Sequence, residues 1–258
     1  MIEKNPSVQT AILESGGVWR VTFGASKGNV LDAALVAELT ALFRKAALDR
    51  QLKAIIVEGQ GRHFSFGASV EEHLPERAPS MLHGFHNMVR ALVDASVLTI
   101  AAVRGACLGG GLELATACHR IYATPDASLG QPEISLGVFA PVASVLLRER
   151  IGRIHAEDLL LSGRTIDGET AKKIGLVDDV ASEPMAEALG YVKDRILGHS
   201  ASSLRFAVRA AREDLIDHFN QQIPRLERQY LDTLMKTKDA GEGLHAFLEK
   251  RKPVWSNS

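Results

Sequence analysis

The stretch RGACLGGGLELATACHRIYATPDASLGQPEISLG, Arg104 to Gly137, places three consecutive glycines, Gly109 to Gly111, and two glutamates, Glu113 and Glu133, in mostly apolar surroundings. An apolar strand-like run ends near Ala106, and LELATAC after the glycines reads as a helix. Glycine permits backbone angles closed to other residues and lets a ligand approach the main chain. The first N–H groups of a helix lack intrahelical partners and point outward at the positive end of the helix dipole. Such a turn can hold a phosphate or a developing oxyanion, although a tight strand-to-helix turn also needs glycine with no ligand at all. The chain lacks GxxxxGK[ST] and the spacing of GxGxxG, which argues against nucleoside triphosphates and dinucleotides. Glu113 emerges beside the free N–H groups. Glu133 follows in GQPEISLG, a loop-like segment where Pro132 stops a helix arriving from upstream. Two acids near one dipole end suit paired proton transfer. Taken singly, Glu113 also reads as a first-turn complement to the dipole, and Glu133 as a surface loop charge.

Outward from this stretch, the chain has 258 residues, 46% hydrophobic and 24% charged, enough for one large core or a core with a smaller appendage. Thirty basic and 31 acidic residues leave a formal charge of −1, which gives no general electrostatic grip on nucleic acid or an anionic membrane. No apolar run approaches the ~18 residues of a membrane span. The opening MIEKNPSVQTAI has no basic-then-apolar signal, so the expected setting is cytoplasmic. Cys107 and Cys118 lie in the apolar central third and read as buried thiols. His83 and His86 share a helix face and His73 precedes them, but no HExxH or carboxylate–histidine set accompanies them, so no metal site is expected.

Strand-like runs occur at Val18–Gly24, Lys53–Gly59, Val97–Ala106 and His119–Thr124. Between them, Leu31, Leu35, Leu39, Leu42 and Phe43 recur at helical spacing behind a capping Asp32, and a second helix carries Met81, Leu82, Phe85, Met88, Val89 and Leu92. Alternating strands and helices give an α/β class. After about Pro184 the pattern is helical only. One stripe runs through Leu204, Val208, Ala211 and Leu215, a second helix is expected to open at Pro224, and a last one at Asp239 with Glu242 as a capping-box-like pair. The organisation predicted is a core over residues 1–200 and a helical C-terminal region over 201–258.

A further element, GRHFSFGASVEEHLPE (Gly61–Glu76), follows the strand KAIIVEG and presents Gly67, Ala68 and Ser69 between aromatics. A second N–H from that turn would complete a two-donor oxyanion pocket. Together these segments resemble the crotonase (enoyl-CoA hydratase/isomerase) family over essentially the whole chain. The resemblance implies a β-β-α spiral core with a C-terminal helical trimerisation region, assembled as a homotrimer or a dimer of trimers. It places oxyanion donors on the N–H groups of Ala68 and Gly110 and the catalytic acids on Glu113 and Glu133. SKGNVLD and AFLEKRKPVW resemble CoA-contacting segments, which points to Lys27, Phe247 and Lys250; His63, Phe64, Phe66 and Phe139 are candidates for the substrate channel. An acyl-CoA thioester is the implied substrate, with coenzyme A part of that substrate and no separate cofactor.

Two departures stand out. Ser69 follows the oxyanion alanine where aspartate is common in the family. In LGVFAPVASVLLRERIG (Leu136–Gly152), Phe139, Ala140, Pro141 and Val142 replace a glycine-rich turn, which implies a stiffer, more apolar acyl pocket. With MLHGFH, these features are similar to the branch of the family that hydrates a ring-conjugated diene thioester. The alternatives are a straight-chain enoyl-CoA hydratase, an isomerase, or a non-catalytic CoA-ester-binding relative.

Overall fold

The computed structural model describes residues 7–24 and 28–258. The chain opens with β1 (Val8–Leu13), antiparallel to β2 (Val18–Phe23). Helix α1 (Ala33–Leu48) follows, capped as expected by Asp32, whose carboxylate accepts from Leu35 N at 2.9 Å. Then come β3 (Ala54–Gly59), α2 (Ala78–Asp94), β4 (Leu98–Val103), β5 (Ala106–Leu108), α3 (Gly110–Ala117), β6 (Arg120–Ala123) and β7 (Ser128–Gly130). The run closes with α4 (Pro141–Ser162), β8 (Thr165–Ile166), α5 (Gly168–Lys173), β9 (Asp179–Val180), α6 (Pro184–Arg195), α7 (Ala201–Arg228) and α8 (Lys238–Leu248).

The strand run Val97–Ala106 is divided. β4 belongs to a six-stranded sheet ordered β1-β2-β3-β4-β6-β9, parallel from β2 onward, whereas β5 belongs to a three-stranded sheet ordered β5-β7-β8. Arg104 and Gly105, the latter at φ +54°, carry the chain from one sheet to the other. The same step recurs after β6, which hands over to β7, and after β3, where Ser65 bridges to Cys107. Each turn of the resulting spiral thus gives one strand to the large sheet, one rung to the small sheet, and then a helix.

The small-sheet rungs decide where the functional groups fall. Ser65 pairs with Cys107, and Cys107 with Leu129. Three residues beyond the first two rungs lie Ala68 and Gly110, and four beyond the third lies Glu133. Groups far apart in the chain therefore stack at one end of the spiral.

Both faces of the large sheet are covered, as its parallel strands require. Val21, Phe23, Ile55, Val57, Ala101 and Val103 face the main core with α1 and α2, while Val18, Ile56, Ile100 and Tyr122 pack with Ala188 and Val192 of α6. Cys107 and Cys118 are free, buried thiols.

The C-terminal helices differ from the expected layout in two ways. Pro224 lies inside α7, which runs unbroken from Ala201 to Arg228. Proline leaves the carbonyl four residues back, on Asn220, without its helical N–H. Both residues are exposed, so that carbonyl is open to solvent, while Ile216, Phe219 and Ile223 bury a continuous stripe across the proline. Helix α8 is capped by Thr237, whose hydroxyl accepts from Ala240 N at 3.2 Å, and not by Asp239. Asp239 and Glu242 instead hold the tail: Asp239 accepts from Ser256 N and Asn257 N, and Glu242 from Val254 N and Arg251. Helix α7 is fastened by two arginines acting on helix C-termini, the favourable end for a cation. Arg205 donates to Ala46, Ala47 and Ala95 carbonyls, and Arg212 to those of Ala117 and Cys118.

Candidate active site

The turn after β3 is pinned from three directions. Asn29 donates its amide to the carbonyls of Gln60, His63 and Phe64. Ser65 Oγ donates to Asn29 O at 2.8 Å and accepts from Gly67 N at 3.0 Å. Leu31 N donates to Gly67 O, and Ser69 N to Leu31 O. Every neighbour of Ala68 is thus tied down, while its own N–H donates to no group among the described residues. The segment SKGNVLD therefore contributes the brace for this turn through Asn29 and Leu31. Its Lys27, read as a phosphate contact, lies outside the described residues.

The second amide comes from the glycine turn. Gly109 N donates to Gly130 O at 3.0 Å, leaving Gly110 as the first residue of α3, without an intrahelical acceptor. The two free amides sit side by side: a Cβ on Gly110 would stand 3.1 Å from Ala68 N, and one on Gly67 would stand 3.3 Å from Gly110 N. Gly109 has φ +51° and ψ −127°, a conformation closed to residues with a Cβ. A Cβ there would also meet Glu133 Oε1 at 2.5 Å.

Glu113 is buried at the start of α3; its Oε1 accepts from Ala143 N at 2.8 Å, and the Val142 amide also favours its charged form. Those are the first free amides of α4, whose opening residue is Pro141. Glu113 therefore lies between two helix N-termini. Burial raises its carboxyl well above the ordinary range, and the two amides restrain that rise. Glu133 sits in a short 3₁₀ turn, Pro132–Leu136, that ends at left-handed Gly137. Its carboxyl faces the cavity and is surrounded by protein; burial raises it further, and the nearby Glu113 charge adds to the rise. Buried Gln131, in the amide orientation that satisfies both groups, donates to Glu133 Oε2 at 3.0 Å and Oε1 at 3.1 Å. Turned over, the same amide would accept from a protonated Glu133, so Gln131 suits either state.

These groups open into a cavity of about 450 Å³. Phe66, Ala68, Gly110, Glu113, Glu133, Phe139 and Phe247 all line it. Three candidates fall elsewhere. Phe64 is fully buried, edge-on to Phe23 at 5.1 Å, because the chain alternates sides as it leaves the sheet and turns this ring into the core. His63 accepts from Ala106 N through Nδ1 at 3.0 Å and packs its ring on Phe66, so it supports the wall from behind. Lys250 is exposed and outside the cavity lining, in a left-handed conformation that ends the last helix; its neighbour Arg251 lines the cavity instead.

From the sequence, no site role attaches to Gln131, Tyr230 or Glu227, and of the two histidines flanking the oxyanion turn only His63 is named for the channel. His73 lines the cavity, donates through Nδ1 to Ser69 O at 2.7 Å, and is kept neutral by burial. His86 Nδ1 meets Glu227 Oε2 at 3.2 Å. Gln131 adjoins Glu133 in sequence and could have been suspected. Tyr230 is about a hundred residues from either glutamate and carries no local signal.

Two preorganised amides beside two raised carboxyls form a site for enolate chemistry. The family's sequence profile, described as Enoyl-CoA hydratase/isomerase, matches residues 13–258. The chain belongs to the enoyl-CoA hydratase/isomerase family. Across its whole length, and that of the relative, it is 46% identical to a cyclohexa-1,5-dienecarbonyl-CoA hydratase of Thauera aromatica. A probable enoyl-CoA hydratase of Rhizobium meliloti is 34% identical over 95% of this chain and 97% of its own. Among solved structures, an enoyl-CoA hydratase from Mycobacterium avium superposes with a TM-score of 0.86 at 27% identity, covering 98% of this chain and 100% of that one. Among the described residues, no helix is long and apolar enough to cross a membrane.

Proposed function

We propose that the protein hydrates a cyclic dienoyl-CoA thioester, converting cyclohexa-1,5-diene-1-carbonyl-CoA to 6-hydroxycyclohex-1-ene-1-carbonyl-CoA. The observation that carries this reading is the meeting of two free amides and the Glu113–Glu133 pair in one cavity walled by Phe66, Phe139, Ala140 and Pro141. The full-length likeness to the Thauera enzyme supports the ring substrate.

The thioester oxygen accepts from Ala68 N–H and Gly110 N–H, and Glu113, as carboxylate, removes a proton from water. The hydroxide oxygen bonds to the ring carbon β to the thioester, and the π electrons move to the thioester oxygen as a dienolate. Losing one such donor typically costs ~100- to 1000-fold in rate. The dienolate then collapses: Glu133 delivers its proton to the far end of the conjugated system, across the ring, and the remaining double bond shifts next to the thioester. This division follows from the surroundings. The α4 amides favour the charged form of Glu113, whereas Glu133 bears burial plus its neighbour's charge. Transfer of the gained proton from Glu113 to Glu133 resets the pair.

A side-by-side assay with crotonyl-CoA and the ring diene, scored by mass spectrometry for gain of one water, tests the reading. Preference for the ring substrate is expected; preference for crotonyl-CoA would overturn the substrate while keeping the hydratase.

The same proposal extends to self-association in the cytoplasm as a trimer or dimer of trimers, with the C-terminal helices from residue 201 contributing to the contact. Ile154 and Leu161 on the outer half of α4 and Phe206 on α7 are 82%, 72% and 80% exposed, a pattern suited to a partner surface. Light scattering is expected to return three or six chains per particle. A monomeric mass would remove this part.

A further inference from the structure

Tyr230 belongs to a π-turn, Gln229–Thr233, that continues α7. Such single turns are costly and concentrate at functional sites. The side chain is fully buried, its ring lies 5.4 Å from that of Phe139, and it lines the same cavity as the two glutamates. Its hydroxyl has no hydrogen-bond partner among the described residues. Buried tyrosine hydroxyls nearly always find one, because an unpaired one forfeits its hydration. Both glutamate charges act on this group, Glu133 more strongly, and with burial they hold it firmly as a neutral phenol. Tyr230 therefore remains an O–H donor at any pH where the carboxyl pair works.

We infer that the Tyr230 hydroxyl donates a hydrogen bond to the oxygen being added to the substrate, first as water and then as the hydroxyl group of the product. This rests on the hydratase reading above and adds a second polar contact, besides Glu113, to the attacking oxygen. Glu113 takes a proton from that oxygen, and a neutral donor on it fixes its direction of approach without competing for the proton. No bond to Tyr230 forms or breaks. The phenol returns unchanged in each turnover.

Tyr230→Phe removes one atom and leaves the packing against Phe139. The test compares wild type and variant in binding of the hydroxylated product and of cyclohex-1-ene-1-carbonyl-CoA, which lacks only the hydroxyl, by calorimetric titration. Wild type is expected to favour the hydroxylated ester by at least about 3- to 10-fold, the range of one neutral hydrogen bond. In Tyr230→Phe that preference should fall by about 3- to 10-fold, the range of one neutral hydrogen bond, kcat should fall about 10- to 100-fold, and the melting temperature should hold or rise. Unchanged preference together with unchanged kcat would overturn the inference, as would lost activity in a variant that melts well below wild type while keeping the preference. If wild type hydrates crotonyl-CoA and not the ring diene, the substrate reading fails by itself. The Tyr230 comparison then runs on 3-hydroxybutanoyl-CoA against butanoyl-CoA, with the same two outcomes.

Discussion

Glu113→Gln is expected to lower turnover by about 10²- to 10⁴-fold, the usual share of a positioned general base, while acyl-CoA affinity stays within a few fold. The amide keeps an oxygen to accept from Ala143 N, so the start of α4 remains capped, and what is lost is the capacity to take a proton. The variant should also be more stable than wild type, in a pH-dependent way. Burial raises the Glu113 carboxyl in the folded state, so the native protein binds that proton more tightly than the unfolded chain. The associated stability is fully present below the unfolded glutamate value of about 4.3 and is lost as pH rises through the raised folded value. Above that range wild type carries the cost of a buried charge and the variant does not. Thermal melts at pH 8.5 should therefore place the variant a few degrees higher, since about 1 kcal/mol moves a chain of this size by roughly 2–4 °C. At pH 5 the difference should be much smaller, and below about 4.3 it should disappear. Wild-type kcat/KM should be bell-shaped, with both limbs displaced upward from the ordinary carboxylate range: protonation of Glu113 closes the acid side, and loss of the Glu133 proton the alkaline side. Unchanged turnover in Glu113→Gln would remove this residue from the mechanism.

Gly109→Ala should cost about as much activity for an unrelated reason. The position has backbone angles closed to alanine, and the added methyl would fall 2.5 Å from Glu133 Oε1. The expected result is a loss of at least about 100-fold in kcat, since small displacements of a proton donor are expensive, together with destabilisation of about 1–3 kcal/mol from the strained backbone. Shortening the acid separates the two effects. In Gly109→Ala/Glu133→Asp the carboxylate withdraws from the methyl, so part of the lost stability should return while activity stays low. Denaturant melts and initial rates on the four proteins of the cycle would measure this. Strictly additive stabilities would show that Glu133 does not press on position 109.

The contrast between the two glutamates shows where local sequence suffices. Glu113 lies just past the glycine triplet, so both its placement at a helix start and its nearness to a free amide follow from local chemistry: glycines to make the turn, a helix to expose N–H groups. Pro132 likewise marks the interruption that brings Glu133 into a short turn. The strand and helix periodicities of the first half, the Asp32 cap and the α/β alternation are of the same kind, since each depends on residues within a turn or two of each other.

Groups gathered from distant segments could not be located in that way. That Ala68, Gly110 and Glu133 converge depends on the small sheet, where Ser65, Cys107 and Leu129 pair in register; three-residue rungs carry too little pattern to announce themselves. Capping of α4 by Glu113 and delivery of Tyr230 into the same cavity depend on how α4 and α7 pack. Phe64 and Phe66 make the limit plain: two aromatics of one turn look alike in sequence, yet one fills the core and the other lines the cavity. Local periodicity determined the class of fold, and the glycine turn and Pro132 marked both glutamates as candidates. Hydrogen-bond register between turns of the spiral and the docking of α7 decided the site, because those interactions join residues whose separation along the chain leaves no local trace.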